Sequence, residues 1–515
     1  MKTLLHFRSL WAAVIAMALV WACAKKEDVA PKSTEKDILS FSVNSLNPAV
    51  SGIVTGTAIT IGVPLNTDLK ALVPTITASA KATVSPASGV AQNFTNPVTY
   101  TVTAEDGTTQ AYSVSAVINP PKIISFAPDN GVAGTSVVLN GEGFSDVSTD
   151  IKVTINGKNA NITASSAKQI TVQIPEKAGT GEILIDVKGK QAKTASAFKY
   201  KYTATSTTLF SGSSTIFQSV VVDPDDGTVY ATDKKYSAIW IQKANSTSFK
   251  FVVLKDETAA NHANLTGISI LKTGLGGAND KYLVVTNESK GIYVYTISDI
   301  TTSTSSLNAA NKLQANDAIY NGPTSVVPVS EGAATLYQLN GTYYFACFGN
   351  STIVRSTRKN GVTSSPSIIG AGTGFNTGTV ASTNAKFAGP VGIYLKNKLV
   401  YVADEGNHAI RVVDFDNAKV TTLIGKGTAG NVDGNFADVK LNLPSNVVVD
   451  DAGLVYVTDR GNNSLRVFDT RNQTSQTLLT GLNTPYGLAI DKTGSFLYVG
   501  EWGVGTNKVI KVAIK

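Results

Sequence analysis

From Thr208 to the end of the chain one unit recurs, and it constrains the fold more than any other feature. Each copy is a short apolar run that ends on an acidic or equivalent residue, then a Gly/Asn turn, then a second apolar run. The clearest copies are 399–412 and 454–467, with Asp404 and Asp459 at the strand end. Others pair 229–233 with 239–241, 283–287 with 292–295, 344–348 with 353–355 (the weakest) and 497–502 with 509–512. Anchored on positions 233, 287, 348, 404, 459 and 501, the copies lie about 42 to 61 residues apart, a period that with four short strands per copy indicates a β-propeller. An inner strand opened by Gly or Pro precedes the later cores, as at Gly389-Pro390, Leu443-Pro444 and Thr484-Pro485. The last copy stops at Lys515 with three strands. Residues 207–212 repeat the pattern of the outer strand 421–425, so they are expected to complete the last blade and close a ring of six.

Composition agrees with an all-β chain. Val, Ile and Thr are plentiful, Tyr and Phe number 18 each, and charged residues are 16%, below the roughly 25% of an average soluble chain. Lys plus Arg total 44 against 37 Asp plus Glu, with no Lys/Arg block of the kind that marks a nucleic-acid arm. Two cysteines exclude a disulfide framework, and three histidines limit His-based chemistry. Cys347 lies in an apolar run and reads as a buried, inert thiol.

Residues 1–22 carry Lys2 and Arg8, then an apolar run at 10–20 that is too short to span a bilayer. Val20-Trp21-Ala22-Cys23 resembles a bacterial lipobox, which implies lipidation of Cys23. Ala24-Lys25-Lys26-Glu27-Asp28 resembles the export signal of Bacteroidota surface lipoproteins, which implies an outer-membrane protein facing the exterior. Residues 23–37 read as a tether. Residues 38–118 alternate apolar and polar positions between Gly, Pro and Asn turns, and predict an Ig-like sandwich with a hairpin at 104–108. Asn119-Pro120-Pro121 breaks the chain. Residues 119–203 follow, and the spacing of Pro128, Gly131, Gly134, Val137, Leu139, Gly141, Gly143 and Phe144 resembles an IPT/TIG domain. Both sandwiches read as spacers. Residues 204–515 form the propeller, and Asn407-His408-Ala409 resembles the motif of NHL-repeat propellers.

In a four-stranded blade, the loops between the second and third strands share one face with the connections to the next inner strand. That face is expected to collect Lys234, Lys235 and Tyr236, Glu288 and Lys290, Asn350, Glu405 and His408, Arg460 and Asn462, Tyr486 and Trp502. Trp502, in a Gly-flanked loop two residues longer than its equivalents, is a candidate platform for a sugar ring. The candidate ligand-binding set is Trp502, Tyr486, Tyr236, Lys235, Arg460, Asn462 and Glu405. Asp233, Asp404 and Asp459 read as turn-capping acceptors, His408 as structural, His262 as solvated and Trp240 as core. Asn446 could face the central axis. Related propellers include metal-dependent lactonases and lyases. Their His-rich sites find no match here, whereas a carboxylate/Asn calcium site remains open, so no cofactor is expected unless it is calcium. No nucleophile elbow, Cys/His pair or phosphate loop is present in the sequence. The resemblance to surface lipoproteins implies a propeller that binds an extracellular polysaccharide or oligosaccharide for a neighbouring outer-membrane transport system. A protein-interaction scaffold and a metal-dependent hydrolase or lyase are the alternatives.

Overall fold

A computed structural model describes residues 31–255, 264–272, 281–287, 291–302, 306–308, 311–313, 323–330, 341–359 and 362–515. The leader, Cys23, His262, Glu288 and Lys290 lie outside the described residues.

The first domain follows its period-2 pattern. Strand Ala58–Val63 buries Ile59, Ile61 and Val63 on one face and pairs in parallel with Thr109–Ile118. Val98–Thr103 and Thr109–Ile118 form the expected hairpin. Phe41 packs edge-on against Phe94 and Tyr100, with ring centres 6.4 and 5.5 Å apart. The second domain stacks two four-stranded sheets, with Val137, Val153, Val172 and Ile185 facing inward. Gly141 is obligatory there: a Cβ would lie 2.0 Å from the Lys122 carbonyl and 2.3 Å from the Phe144 ring.

The second domain does not stand apart as a spacer. Its apolar core is continuous with that of the propeller, joining Tyr200 and Tyr202 to Tyr456, Leu465 and Leu497. Gln476 accepts from the Tyr202 N–H at 3.0 Å and donates to the Tyr200 carbonyl at 2.9 Å. Asn472 donates to the Thr180 carbonyl, and Lys177 to the Gly494 carbonyl.

Six sheets of four or five strands follow among the described residues. Their inner strands are Phe217–Val222, Leu265–Lys272, Pro323–Ser330, Pro390–Lys396, Pro444–Val449 and Pro485–Ile490. We number the blades one to six in that order. Each inner strand packs on the next, and the sixth packs back on the first, so the sheets surround a common axis. Closure is by the strand ahead of blade one. Ala204–Ser213 runs antiparallel to the C-terminal strand Thr506–Ile514 and is the outermost strand of blade six. Phe210, on this closing strand, is buried against Phe217 and Trp240 of blade one.

Candidate functional site

Each blade's second strand ends opposite the first residue of its inner strand. The pairs are Phe217 with Asp233, Leu265 with Asn287, Pro390 with Asp404, Pro444 with Asp459 and Pro485 with Glu501. In blade three the equivalent residue is Cys347, opposite Pro323. The repeat position there is therefore Cys347, one residue before the sequence anchor at 348. Position 347 carries an apolar thiol instead of an acid, which hides the register from a motif search. All six side chains are buried. Burial pushes the Cys347 thiol up to about 12, so it stays protonated and unreactive.

Asp404 and Asp459 do not cap their own turns; neither turn has a side-chain cap. Each holds together three separated pieces of chain. Asp404 accepts from the Ala388 N–H at 2.7 Å, Asn407 at 2.8 Å and Arg411 at 3.0 Å. Asp459 repeats this with the Asn442 N–H at 2.7 Å, Asn462 at 2.7 Å and Arg466 at 3.1 Å. Arg411 and Arg466 have no exposed surface. In blade one Trp240 takes the arginine's place and donates Nε1 to Asp233 at 3.1 Å. Asp233 does act as a turn acceptor, from the Lys235 and Tyr236 N–H groups. The two arginines were missed in the sequence, although they sit at the same offset from the two aspartates. A charged residue inside a strand reads as solvent-facing until its partner is known.

The residue after each buried anchor lies at the face where the inner strands begin, with Glu405 itself buried there. These residues are Lys234, Phe348, Glu405, Arg460 and Trp502, one per described blade loop. They form an arc. Arg460 is ion-paired with Glu405 of the preceding blade. Its guanidinium carbon lies 5.7 Å from the Tyr486 ring centre and 5.9 Å from that of Trp502. The Lys234 ammonium is 5.3 Å from the indole centre. Two cations at a π-system fix the plane of the indole. Phe348, half exposed, extends the arc toward blade four, its ring filling the space beside Gly389, where a Cβ would lie 2.6 Å away. Burial raises the Glu405 carboxyl above its usual range, and Arg460 opposes that shift.

The loop that carries Trp502 is pinned. Asn507 accepts from the Gly503 N–H at 2.9 Å and donates to the Gly503 carbonyl at 2.8 Å, and Asn483 donates to Asn507 at 2.8 Å. Tyr486 meets Trp502 edge-on, with centres 4.5 Å apart and planes at 71°.

The structure brings together Trp502, Tyr486, Arg460, Glu405 and Lys234 from the expected face. Two members of the set must be reassigned. Tyr486 is only 5% exposed, so it backs Trp502 and offers no face of its own. Asn462 spends its amide on Asp459 and on the Gly430 carbonyl at 2.8 Å, so it builds the loop. Tyr236 and Lys235 form a separate group. The Lys235 ammonium is 5.2 Å from the Tyr236 ring centre, and that ring meets Phe251 of the outer strand at 6.4 Å. His408 accepts from the Leu443 N–H at 3.1 Å and is structural. Trp240 is buried among Phe210, Phe217, Phe249 and Phe251.

Asn446 lines an axial cavity of about 400 Å³. The cavity is bounded by the later halves of the inner strands and opens on the opposite face, among Lys272, Lys396, Lys492, Asp450, Asp451 and Asp491. Among the described residues no group of three His, Cys, Asp or Glu could hold a metal ion, and no helix is long and apolar enough to cross a membrane.

Residues 38–116 match the family model "SGBP, N-terminal", residues 121–202 match "IPT/TIG domain" and residues 381–512 match "Lactonase, 7-bladed beta-propeller". NHL repeat-containing protein 2 of Gallus gallus is 43% identical over 93 residues, which is 17% of this chain and 13% of that protein. The Homo sapiens protein of that name is 39% identical over 90 residues, 17% of this chain and 12% of that one. The chain therefore spans about an eighth of the length of these curated relatives. An auxiliary nutrient binding protein from Bacteroides thetaiotaomicron superposes with a TM-score of 0.43 at 16% identity, over 77% of this chain and 98% of that chain. One from Bacteroides ovatus does so with a TM-score of 0.40 at 18% identity and the same coverage. The chain thus joins, in order, a segment of the SGBP N-terminal type, an IPT/TIG domain and a propeller with NHL-like repeats.

Proposed function

We propose that this protein is held on the outer face of the outer membrane by lipid on Cys23 and binds an extracellular glycan at the loop face of the propeller, for transfer to a neighbouring transport system. The observation that carries the reading is the arc around Trp502. The Trp502 indole lies within 5.3 Å of the Lys234 ammonium and 5.9 Å of the Arg460 guanidinium, which Glu405 pairs. A pyranose offers a flat C–H face ringed by hydroxyls. The indole takes the face, and the guanidinium and ammonium take the hydroxyls, with Glu405 holding Arg460 in place. The match of residues 38–116 to the SGBP model supports a surface glycan-binding role. Binding needs no metal in this reading.

The test is native affinity electrophoresis of the soluble chain from residue 24 onward in gels containing starch, xylan, pectic galactan or yeast mannan. Retardation by one of these, removed by Trp502→Ala and kept in EDTA, is the expected result. Retardation unchanged by Trp502→Ala places the ligand elsewhere. Retardation lost in EDTA points to a calcium-bridged ligand.

A further inference from the structure

We infer that the ligand is a polymer whose chain runs outward from Trp502 across blade one to the rim of the propeller. The inference rests on glycan binding at Trp502 and adds a second set of subsites.

Lys234, Lys235 and Tyr236 are consecutive, so the Lys234 and Tyr236 backbones are at most about 7 Å apart. Lys234 reaches inward to Trp502, and Lys235 lies against Tyr236. From Tyr236 the aromatics continue along the outer strand of blade one, Phe251 opposite Trp240 and Phe249 at the strand end away from the loop face. Tyr236 meets Phe251, Phe251 meets Trp240 at 5.6 Å, and Trp240 stacks on Phe249 at 4.9 Å with planes 28° apart. Phe210 of the closing strand stacks beneath Trp240 at 5.6 Å. The platform is therefore backed by rigid core. It is also open to solvent: Tyr236 is 45%, Phe249 47% and Phe251 36% exposed.

This exposure is selective. Among the described residues, the exposed large apolar side chains of the two sandwich domains are all aliphatic, Ile53 and Ile124 among them. In the propeller the exposed ones are the aromatic Tyr236, Phe249, Phe251 and Phe348, three of them on blade one, and the scattered aliphatic Ile368, Val432 and Val504. Exposed apolar surface concentrated in one place marks a contact site. Flat rings interrupted by the ammonium groups of Lys234 and Lys235 fit successive sugar rings with hydroxyls between them. A single sugar would need only the mouth. A ligand that also covers the rim must be long, and each added contact strengthens the whole through effective concentration.

The experiment uses the polysaccharide that retards the wild-type protein, together with its disaccharide and a long oligomer, in titration calorimetry with Tyr236→Ala and Phe251→Ala. Both side chains are exposed, so the variants are expected to fold, and thermal melts check this. The expected result is disaccharide affinity within twofold of wild type and a loss of about tenfold for the long oligomer. Equal affinity of the rim variants for the long oligomer, with Trp502→Ala still defective, overturns the extension and leaves the mouth standing. Full binding by Trp502→Ala overturns the mouth itself. No retardation by any of the four polysaccharides counts against both. Retention of a protein partner, lost in the rim variants while oligomer binding is not, also overturns the polymer track.

Discussion

Arg466 has no exposed surface, yet it reaches Asp459 at 3.1 Å, Asp433 at 2.6 Å and the carbonyls of Lys440 and Val432, both at 2.6 Å. Removing it leaves Asp459 buried and without its cation. Arg466→Ala is expected to cost about 3–5 kcal/mol, read as a lower urea midpoint at pH 7. A loss below about 1 kcal/mol would show that the aspartate is satisfied by its amide donors alone. Gly503 bears on function in a different way. A Cβ there would lie 1.7 Å from Oδ1 of Asn483, which the Trp502 loop cannot absorb without moving. Gly503→Ala is expected to weaken glycan retardation in affinity gels with little change in melting temperature. If retardation stays at the wild-type level, the position of the indole is not critical.

Among the elements, the closing strand decides whether the ring is one cooperative unit. Phe210 lies on it and packs against Phe217, Trp240 and Phe249 of blade one. Phe210→Ala is expected to cost about 3–5 kcal/mol, the range for emptying a buried aromatic site. The loss is checked by chemical denaturation followed through Trp240 fluorescence. A two-step transition would mean that the closing strand detaches before the blades melt. A polar tie links blades one and two. Lys281 and Lys272 contact Asp225 at 2.8 and 3.0 Å and hold its carboxyl down to about 2. A carboxylate held low in the folded state adds stability above its ordinary value near 4, and that stability is lost as pH falls through about 2. The difference in urea midpoint between wild type and Asp225→Asn should therefore be present at pH 6 and shrink toward pH 2. A difference that does not change with pH would remove the ion pairs from the account.

At the scale of the molecule, the IPT/TIG domain is fused to blade five and the turn of blade six, so the propeller is held at a set angle. Tyr202 is buried in that junction, and burial next to Asp469 pushes its phenol far above the usual range. Tyr202→Ala is expected to split one thermal transition into two, checked by calorimetry. A single transition at an unchanged temperature would show that the domains are coupled elsewhere. The junction lies on the side where the axial cavity opens, since Lys177 reaches Gly494 at the cavity rim. The Trp502 arc is on the opposite face, away from the domains that lead back to the chain's N-terminus.

The amino-acid order alone carried the architecture. Period-2 strands, turn residues and the recurring acid are local signals, and they repeat often enough to mark a propeller and to pick out the closing strand at 207–212. They also selected the loop face, because a strand-end residue must emerge where its strand ends. What tertiary structure decided is which side chain of each loop is spent on the scaffold. Asn462 and Tyr486 look like ligand residues in sequence but are consumed by Asp459 and Trp502. Phe348 looks like part of a strand but faces solvent. Phe249 and Phe251 are about 250 residues from Trp502, and only the closing of the ring sets blade one beside blade six and places the two aromatic groups on one path. Periodicity reports which face of a strand is buried. It does not report who meets whom across blades, because that contact depends on the closed geometry of all the sheets together.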